Sequence, residues 1–173
     1  IGLMGVGKSS IGKRLARRLD MPFIDADAEI VKAAGCSIED IFERFGEAAF
    51  RDGEEKVIER LLRDGPQVLA TGGGAFMNAK TRARIRDAGV SVWLRASLDV
   101  LVRRLGRRQS ERPLLKHGDL RENLSRLIEQ RHPVYAEADV VIDTGEEPLE
   151  TTVERVMQAL EARAAQGAGA VAS

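Results

Sequence analysis

The chain has 173 residues, enough for one domain with a substantial core, and 43% of them are hydrophobic. Its 27 Lys and Arg balance 27 Asp and Glu, so no overall charge recruits nucleic acid or an anionic membrane. Cys36 stands alone, which excludes an internal disulfide and a multi-cysteine metal site, and no apolar run approaches the roughly 18 residues of a membrane span. The composition predicts a soluble, cytoplasmic chain.

The first legible stretch is Gly2-Leu3-Met4-Gly5-Val6-Gly7-Lys8-Ser9, which satisfies G-x-x-x-x-G-K-[ST] at every fixed position. Glycines let the backbone aim successive N–H groups at one anion, Lys8 can follow the outer phosphates, and the Ser9 hydroxyl can ligate Mg²⁺. The motif needs a helix behind it, and Ile11, Leu15 and Leu19 recur at i, i+4, i+8 opposite Lys13, Arg14, Arg17 and Arg18. ATP or GTP binding is the expectation.

Phe23-Ile24 reads as a short buried strand ending at Asp25, and residues 27 to 34 read as a helix closed by Gly35. Asp25 and Asp27 then stand at a strand-to-helix handover, where they can cap the helix or meet a ligand. Ser37 and Asp40 form a capping box for a helix whose apolar face is Ile38, Ile41, Phe42 and Phe45. Gly46 ends it, and the next helix turns Phe50, Val57, Ile58 and Leu61 inward, with Arg51, Glu54, Glu55 and Arg60 outward or toward a cleft. Arg51 and Glu54, at i, i+3, could be no more than a surface ion pair.

Val68-Leu69-Ala70 is a second strand, followed by Thr71-Gly72-Gly73-Gly74, where the lack of side chains suits either a turn or close approach of a ligand. Asn78 caps a helix to Asp87, Gly89 ends it, and Val90 to Leu94 is the clearest strand. Ser97 caps a helix carrying Leu98, Leu101, Val102 and Leu105. From Gly106 to Gly118 periodicity is lost among Arg107, Arg108, Arg112, Pro113, Lys116 and His117, and so long a loop is usually functional. A helix through Leu120, Leu124, Leu127 and Ile128 is expected to break at Arg131 to Tyr135, where Arg131 could serve as a cation at a helix C-terminus. Val140 to Ile142 is the last strand, a helix carrying Leu149, Val153, Val156, Met157 and Leu160 follows, and the Ala/Gly-rich tail from about Arg163 is expected to fray.

Strands alternating with helices predict an α/β fold with a parallel sheet covered on both faces, and ligands gather at the carboxyl ends of such strands. Gly5 to Ser9, Asp25 with Asp27, and Gly72 to Gly74 all fall there. A P-loop joins a strand to a helix, yet only Ile1 precedes the first motif glycine. Most of that strand is therefore expected to lie upstream of the residues given.

The ordered set Gly5 to Ser9, Asp25-x-Asp27, Phe50-Arg51-x-x-Glu54, Thr71 to Gly74, Arg112-Pro-Leu-Leu115 and Arg131-x-Pro-x-Tyr135 resembles the shikimate kinases over about residues 1 to 160. The resemblance implies a three-layer α/β/α fold with a five-stranded parallel sheet, like the nucleoside monophosphate kinases, in one domain over 1–163. It also implies an acceptor-binding region near 26–62 and a lid near 106–118, and the Ala/Gly-rich composition adds a flexible tail over 164–173. The implied reaction takes ATP, with Mg²⁺, and shikimate to ADP and shikimate 3-phosphate, in a monomer with no nucleic-acid or membrane partner. Carried over, Gly5, Val6, Gly7, Lys8, Ser9, Ser10, Arg104, Arg112 and Pro148 meet the nucleotide, with Ser10 standing where threonine is common. Ser9 and Asp25 serve the metal, and Lys8, Asp27 and Arg112 are catalytic, Asp27 as base. Asp27, Arg51, Glu54, Gly72, Gly73, Gly74 and Arg131 bind the acceptor, the two arginines on its carboxylate and Glu54 holding Arg51. A gluconate or nucleoside monophosphate kinase of the same fold is the alternative within enzymes, and a non-catalytic ATP-binding regulatory domain the alternative outside them.

Overall fold

The computed structural model describes residues 1–106 and 119–170, with side chains as far as residue 166. Arg112 and nearly all of the expected lid over 106–118 lie outside the described residues. The elements run α1 (Lys8–Leu19), β1 (Phe23–Asp25), α2 (Ala26–Ala34), α3 (Ile38–Arg63), β2 (Val68–Ala70), a 3₁₀ turn (Ala75–Met77), α4 (Ala79–Ala88), β3 (Val92–Arg95), α5 (Leu98–Gly106), α6 (Leu120–Tyr135), β4 (Val140–Asp143) and α7 (Leu149–Ala170).

Local chemistry places most boundaries. The Ser37 side chain accepts from the Asp40 N–H while the Asp40 carboxylate accepts from the Ser37 N–H, closing the capping box of α3. The Asn78 carbonyl oxygen accepts from the N–H groups of Lys80 and Thr81 to start α4. Gly35, at φ 68°, ends α2 in the left-handed conformation that costs glycine least. As expected, Gly46 interrupts α3: at φ 80°, ψ 173° it is non-helical, and a second helical segment begins beyond it. Phe45, expected inward, is 64% exposed, because the kink re-aims the turn that carries it.

One further expectation is corrected. The helix expected to break near Arg131 continues as α6 to Tyr135 with Pro133 inside it. Proline removes one helical hydrogen bond, but the last turn is pinned by Tyr135, which is fully buried with its ring edge-on to Trp93 and Phe76. α7 runs past Arg163 to Ala170, and its residues 161 to 166 are all exposed, with no core face, as expected.

All strand pairing is parallel. β1 pairs with β2, Phe23 opposite Val68 and Asp25 opposite Ala70, and β3 pairs with β4, Val92 opposite Val140 and Arg95 opposite Asp143. Helices lie against both pairs: α1 packs on β1, β2 and α7, α7 on β4, and α6 reaches β3 through the contact of His132 with Trp93. Among the described residues there are four strands; the expectation was a five-stranded sheet with its first strand largely outside the residues given. The two pairs are separate. Between β2 and β3 runs an apolar slot of about 370 Å³, lined by Ile11, Leu15, Val68, Ala70, Val92 and Leu94 among others. Ile1 alone enters it as ladder, its N–H donating to the Val92 carbonyl at 2.7 Å and its carbonyl accepting from Leu94 N–H at 3.0 Å. One ladder residue cannot bridge two strands across a strand-wide gap, so the sheet is split at its centre.

Candidate active site

The strand ends and the loops that follow them build the site. Gly5 and Gly7 sit at φ 80° and 102°, a region that L side chains rarely adopt, and their turn delivers the chain into α1 with no side-chain cap on its N-terminus. The first N–H groups of α1 and its positive dipole end are therefore available to phosphate. Lys8 curls back over the loop, its ammonium donating to the carbonyls of Gly2 at 2.9 Å and Leu3 at 3.2 Å. Val6 is buried as part of the core, whereas Ser9 and Ser10 are exposed on the first turn. Arg104 of α5 donates to the loop carbonyls of Gly5 and Val6 and to that of Gly145, three residues before exposed Pro148. Its guanidinium thus ties the P-loop to the 144–148 turn.

Beside the loop, the Ser9 hydroxyl donates to Asp25 Oδ2 at 2.8 Å, while Asp25 Oδ1 accepts from the Asp27 N–H at 3.1 Å. Asp25 is both the N-cap of α2 and a partner of the P-loop serine. A hydroxyl and a carboxylate brought together next to a phosphate-binding loop are hard oxygen donors of the kind Mg²⁺ takes alongside substrate phosphates and water. Among the described residues no group of three or more His, Cys, Asp or Glu is placed to hold a metal ion.

The three glycines after β2 decide the rest. A Cβ on Gly72 would lie 2.8 Å from Glu54 Oε1 and 2.9 Å from Asp27 Oδ1. One on Gly73 would lie 3.0 Å from Arg131 Nη1 and 3.5 Å from the Tyr135 hydroxyl, and one on Gly74 would lie 2.6 Å from Cζ of Arg51. Each glycine thus leaves room for one part of a charged cluster drawn from α2, α3 and α6. The continuation of α6 through Pro133 is what puts Arg131 and Tyr135 one turn apart on the same face. Tyr135, whose hydroxyl donates to the Gly73 carbonyl, pins the glycine floor from below. Sequence reasoning assigned Tyr135 no role, since reading Pro133 as a helix end hid its i, i+4 relation to Arg131.

Within the cluster Arg51 Nη1 donates to Glu54 Oε2 at 2.7 Å, and Nε and Nη2 donate to Glu47 Oε1 at 3.3 and 3.0 Å. Burial works against the Arg51 charge, but its bonds to Glu54 and Glu47 outweigh it and raise the guanidinium above its ordinary pKa. Glu54 is only 3% exposed, and Oε1 has no hydrogen-bond partner among the described residues. Its burial pushes the carboxyl's pKa up, Arg51 pulls it down, and the Asp27 carboxylate adds to the rise. Burial also raises Tyr135, with Arg131 acting against it.

Of the residues singled out from sequence, two groups form: Gly5 to Ser9 with Asp25 and Arg104 at the loop, and Asp27, Arg51, Glu54 and Arg131 over Gly72 to Gly74. A P-loop beside a cluster of two guanidinium groups and two carboxylates over Gly72 to Gly74 suits a kinase acting on a small, polar, anionic acceptor. A profile of the family described as Shikimate kinase matches residues 4–161, and the chain belongs to the shikimate kinase family. It is 58% identical over 161 residues to a shikimate kinase of Paramagnetospirillum magneticum, covering 92% of this chain and 82% of that one. It is 54% identical to one of Caulobacter vibrioides, over 92% and 80%. Among solved structures, a shikimate kinase of Acinetobacter baumannii in complex with shikimate superposes with TM-score 0.89 at 34% identity, over 94% of this chain and 90% of that one. A gluconokinase of Sinorhizobium meliloti, at TM-score 0.59 and 23% identity over 100% and 95%, shares the fold.

Proposed function

We propose that the chain transfers the γ-phosphoryl group of ATP to the 3-hydroxyl of shikimate, giving ADP and shikimate 3-phosphate on the route to chorismate and the aromatic amino acids. The observation that carries this reading is the Gly72 to Gly74 floor, over which two guanidinium groups meet two carboxylates. Shikimate has one carboxylate and three hydroxyls, and the cluster supplies partners for both kinds of group.

Each residue then has a task. The P-loop amides and Lys8 hold the β- and γ-phosphates, and Arg104 and Pro148 stand toward the base. Ser9 and Asp25 would hold Mg²⁺, which when bound would neutralise charge on the nucleotide phosphates. Arg51 and Arg131 clamp the acceptor carboxylate with charge-assisted hydrogen bonds. Glu54 holds Arg51 by the 2.7 Å bond, and its orphaned Oε1 suits an acceptor hydroxyl. Asp27 takes the proton of the attacking hydroxyl, a contribution typically worth about 10²–10⁴ in rate. Arg112, from the lid, completes the charge on the transferring group. The same reading carries a cytoplasmic monomer. Among the described residues no helix is long and apolar enough to cross a membrane.

ADP release measured with shikimate, gluconate and nucleoside monophosphates tests the assignment. Release with shikimate alone is expected. Release with gluconate or a nucleotide at comparable kcat/KM, or no release with any of them, would overturn it.

A further inference from the structure

The fork of Arg51 is already in use. Its Nε and Nη2 groups, the side-on pair best shaped for a carboxylate, both donate to the one oxygen Glu47 Oε1. Glu47 differs from the other carboxylate on Arg51. Glu54 is 3% exposed and locked beneath the guanidinium, whereas the Glu47 side chain is 62% exposed. The residue directly before it, Gly46, is where α3 leaves helical geometry, and a Cβ there would meet nothing within 4 Å. Glu47 therefore sits at a kink, in open space, on an ion pair of the weak exposed kind.

The charges around the floor press the same way. Arg51 and Arg131 bring two positive charges, and Asp27, Glu54 and Glu47 bring three negative ones. An anionic acceptor would add a fourth. Asp27 and Glu54 are held in the cluster, so Glu47 is the carboxylate that can leave.

We infer that Glu47 is a specificity-determining residue that occupies the acceptor carboxylate's place on Arg51 and is displaced by it. An acceptor with a carboxylate replaces Glu47 on the fork and restores the pairing of Arg51. One without it leaves Arg51 covered and gains nothing from the guanidinium. The inference rests on the reading of Arg51 as the partner of the acceptor carboxylate.

The test compares wild type with Glu47→Gln and Glu47→Ala, using shikimate and its methyl ester, by steady-state kinetics and by direct binding. Both variants are expected to lower KM and Kd for shikimate about two- to fivefold, the range set by an exposed ion pair, with kcat and the KM for ATP unchanged. Neither should change binding of the ester. A KM for shikimate that is unchanged or raised, or an equal gain for the ester, would overturn the role of Glu47. The wild type alone tests the underlying reading: if it binds the ester as tightly as the acid, Arg51 is not the carboxylate's partner, whatever the variants do.

Discussion

Asp27 and Glu54 point carboxylate oxygens at the same flank of Gly72, each within 3 Å of where a Cβ would stand. One comes from the first turn of α2 and the other from the middle of α3, and a glycine is what lets both approach. In the function proposed above these two carboxylates divide the work: Asp27, half-buried beside the Ser9–Asp25 pair, serves the reacting hydroxyl, and Glu54, buried and bonded to Arg51, orients it.

Asp27→Asn should nearly abolish turnover and leave ATP binding intact, because the amide can no longer accept the hydroxyl proton. The expected loss in kcat is about 10²–10⁴-fold. Wild-type kcat in the variant would remove Asp27 from proton transfer.

Gly74→Ala should leave the fold standing and misplace Arg51. The new Cβ would meet Cζ at 2.6 Å and Nη2 at 2.7 Å, and the far end of a flexible side chain moves more cheaply than backbone. Displacing a substrate-positioning group by about 1 Å can cost on the order of 10²-fold, expected here in kcat/KM for shikimate with the KM for ATP preserved. Unchanged acceptor kinetics would show that Arg51 does not need this seat.

Arg131→Ala should act on acceptor binding first, by roughly 2–4 kcal/mol, the cost of losing one partner of a desolvated charged pair. KM for shikimate is the readout, and an unchanged value would count against the clamp.

Glu54 should make a recognisable mark on the pH dependence of stability. Its folded-state pKa is raised above the ordinary 4.5 of the unfolded chain, chiefly by burial. The folded protein holds that proton more tightly, so this group's stabilisation is full below the unfolded value and falls as pH climbs through the raised folded value. Asp40 and Glu55 are shifted the other way, Asp40 by its bonds to Ser37 and Glu55 by Arg84 and Asn78, so the measurement is a difference. The melting temperature of wild type minus that of Glu54→Gln should decline from below pH 4.5 to neutrality. A constant or rising difference would contradict the shift.

The slot between β2 and β3 should accept a strand. A version carrying several apolar β-branched residues ahead of Ile1 should continue the ladder that Ile1 begins on Val92 and Leu94. Burying two such side chains stabilises by about 1.5–3 kcal/mol each. At roughly 2–4 °C per kcal/mol for a domain of this size, the melting temperature should rise on the order of 10 °C. Equal melting temperatures would mean the slot is closed by other means.

By itself the sequence determined what is local. The P-loop spacing set the turn and the helix behind it, Ser37 with Asp40 and Asn78 set two helix starts, and Gly35 set a stop, because each acts through backbone groups within a few residues. The chemistry of the pocket was legible too, in Asp25, Asp27, Arg51, Glu54 and Arg131. Their convergence was legible only through the family resemblance, since no spacing states that Gly74 must seat a guanidinium arriving from α3, or that Glu54 would be almost wholly buried while Phe45 stands exposed. Tertiary packing decided these points. Burying Tyr135 against Trp93 and Phe76 carried α6 through Pro133 and brought Arg131 onto Gly73, against the local rule for proline. The split between β2 and β3 is of the same kind: strand pairing is a relation between segments distant in the chain, and only their positions in space show where a strand's place is open.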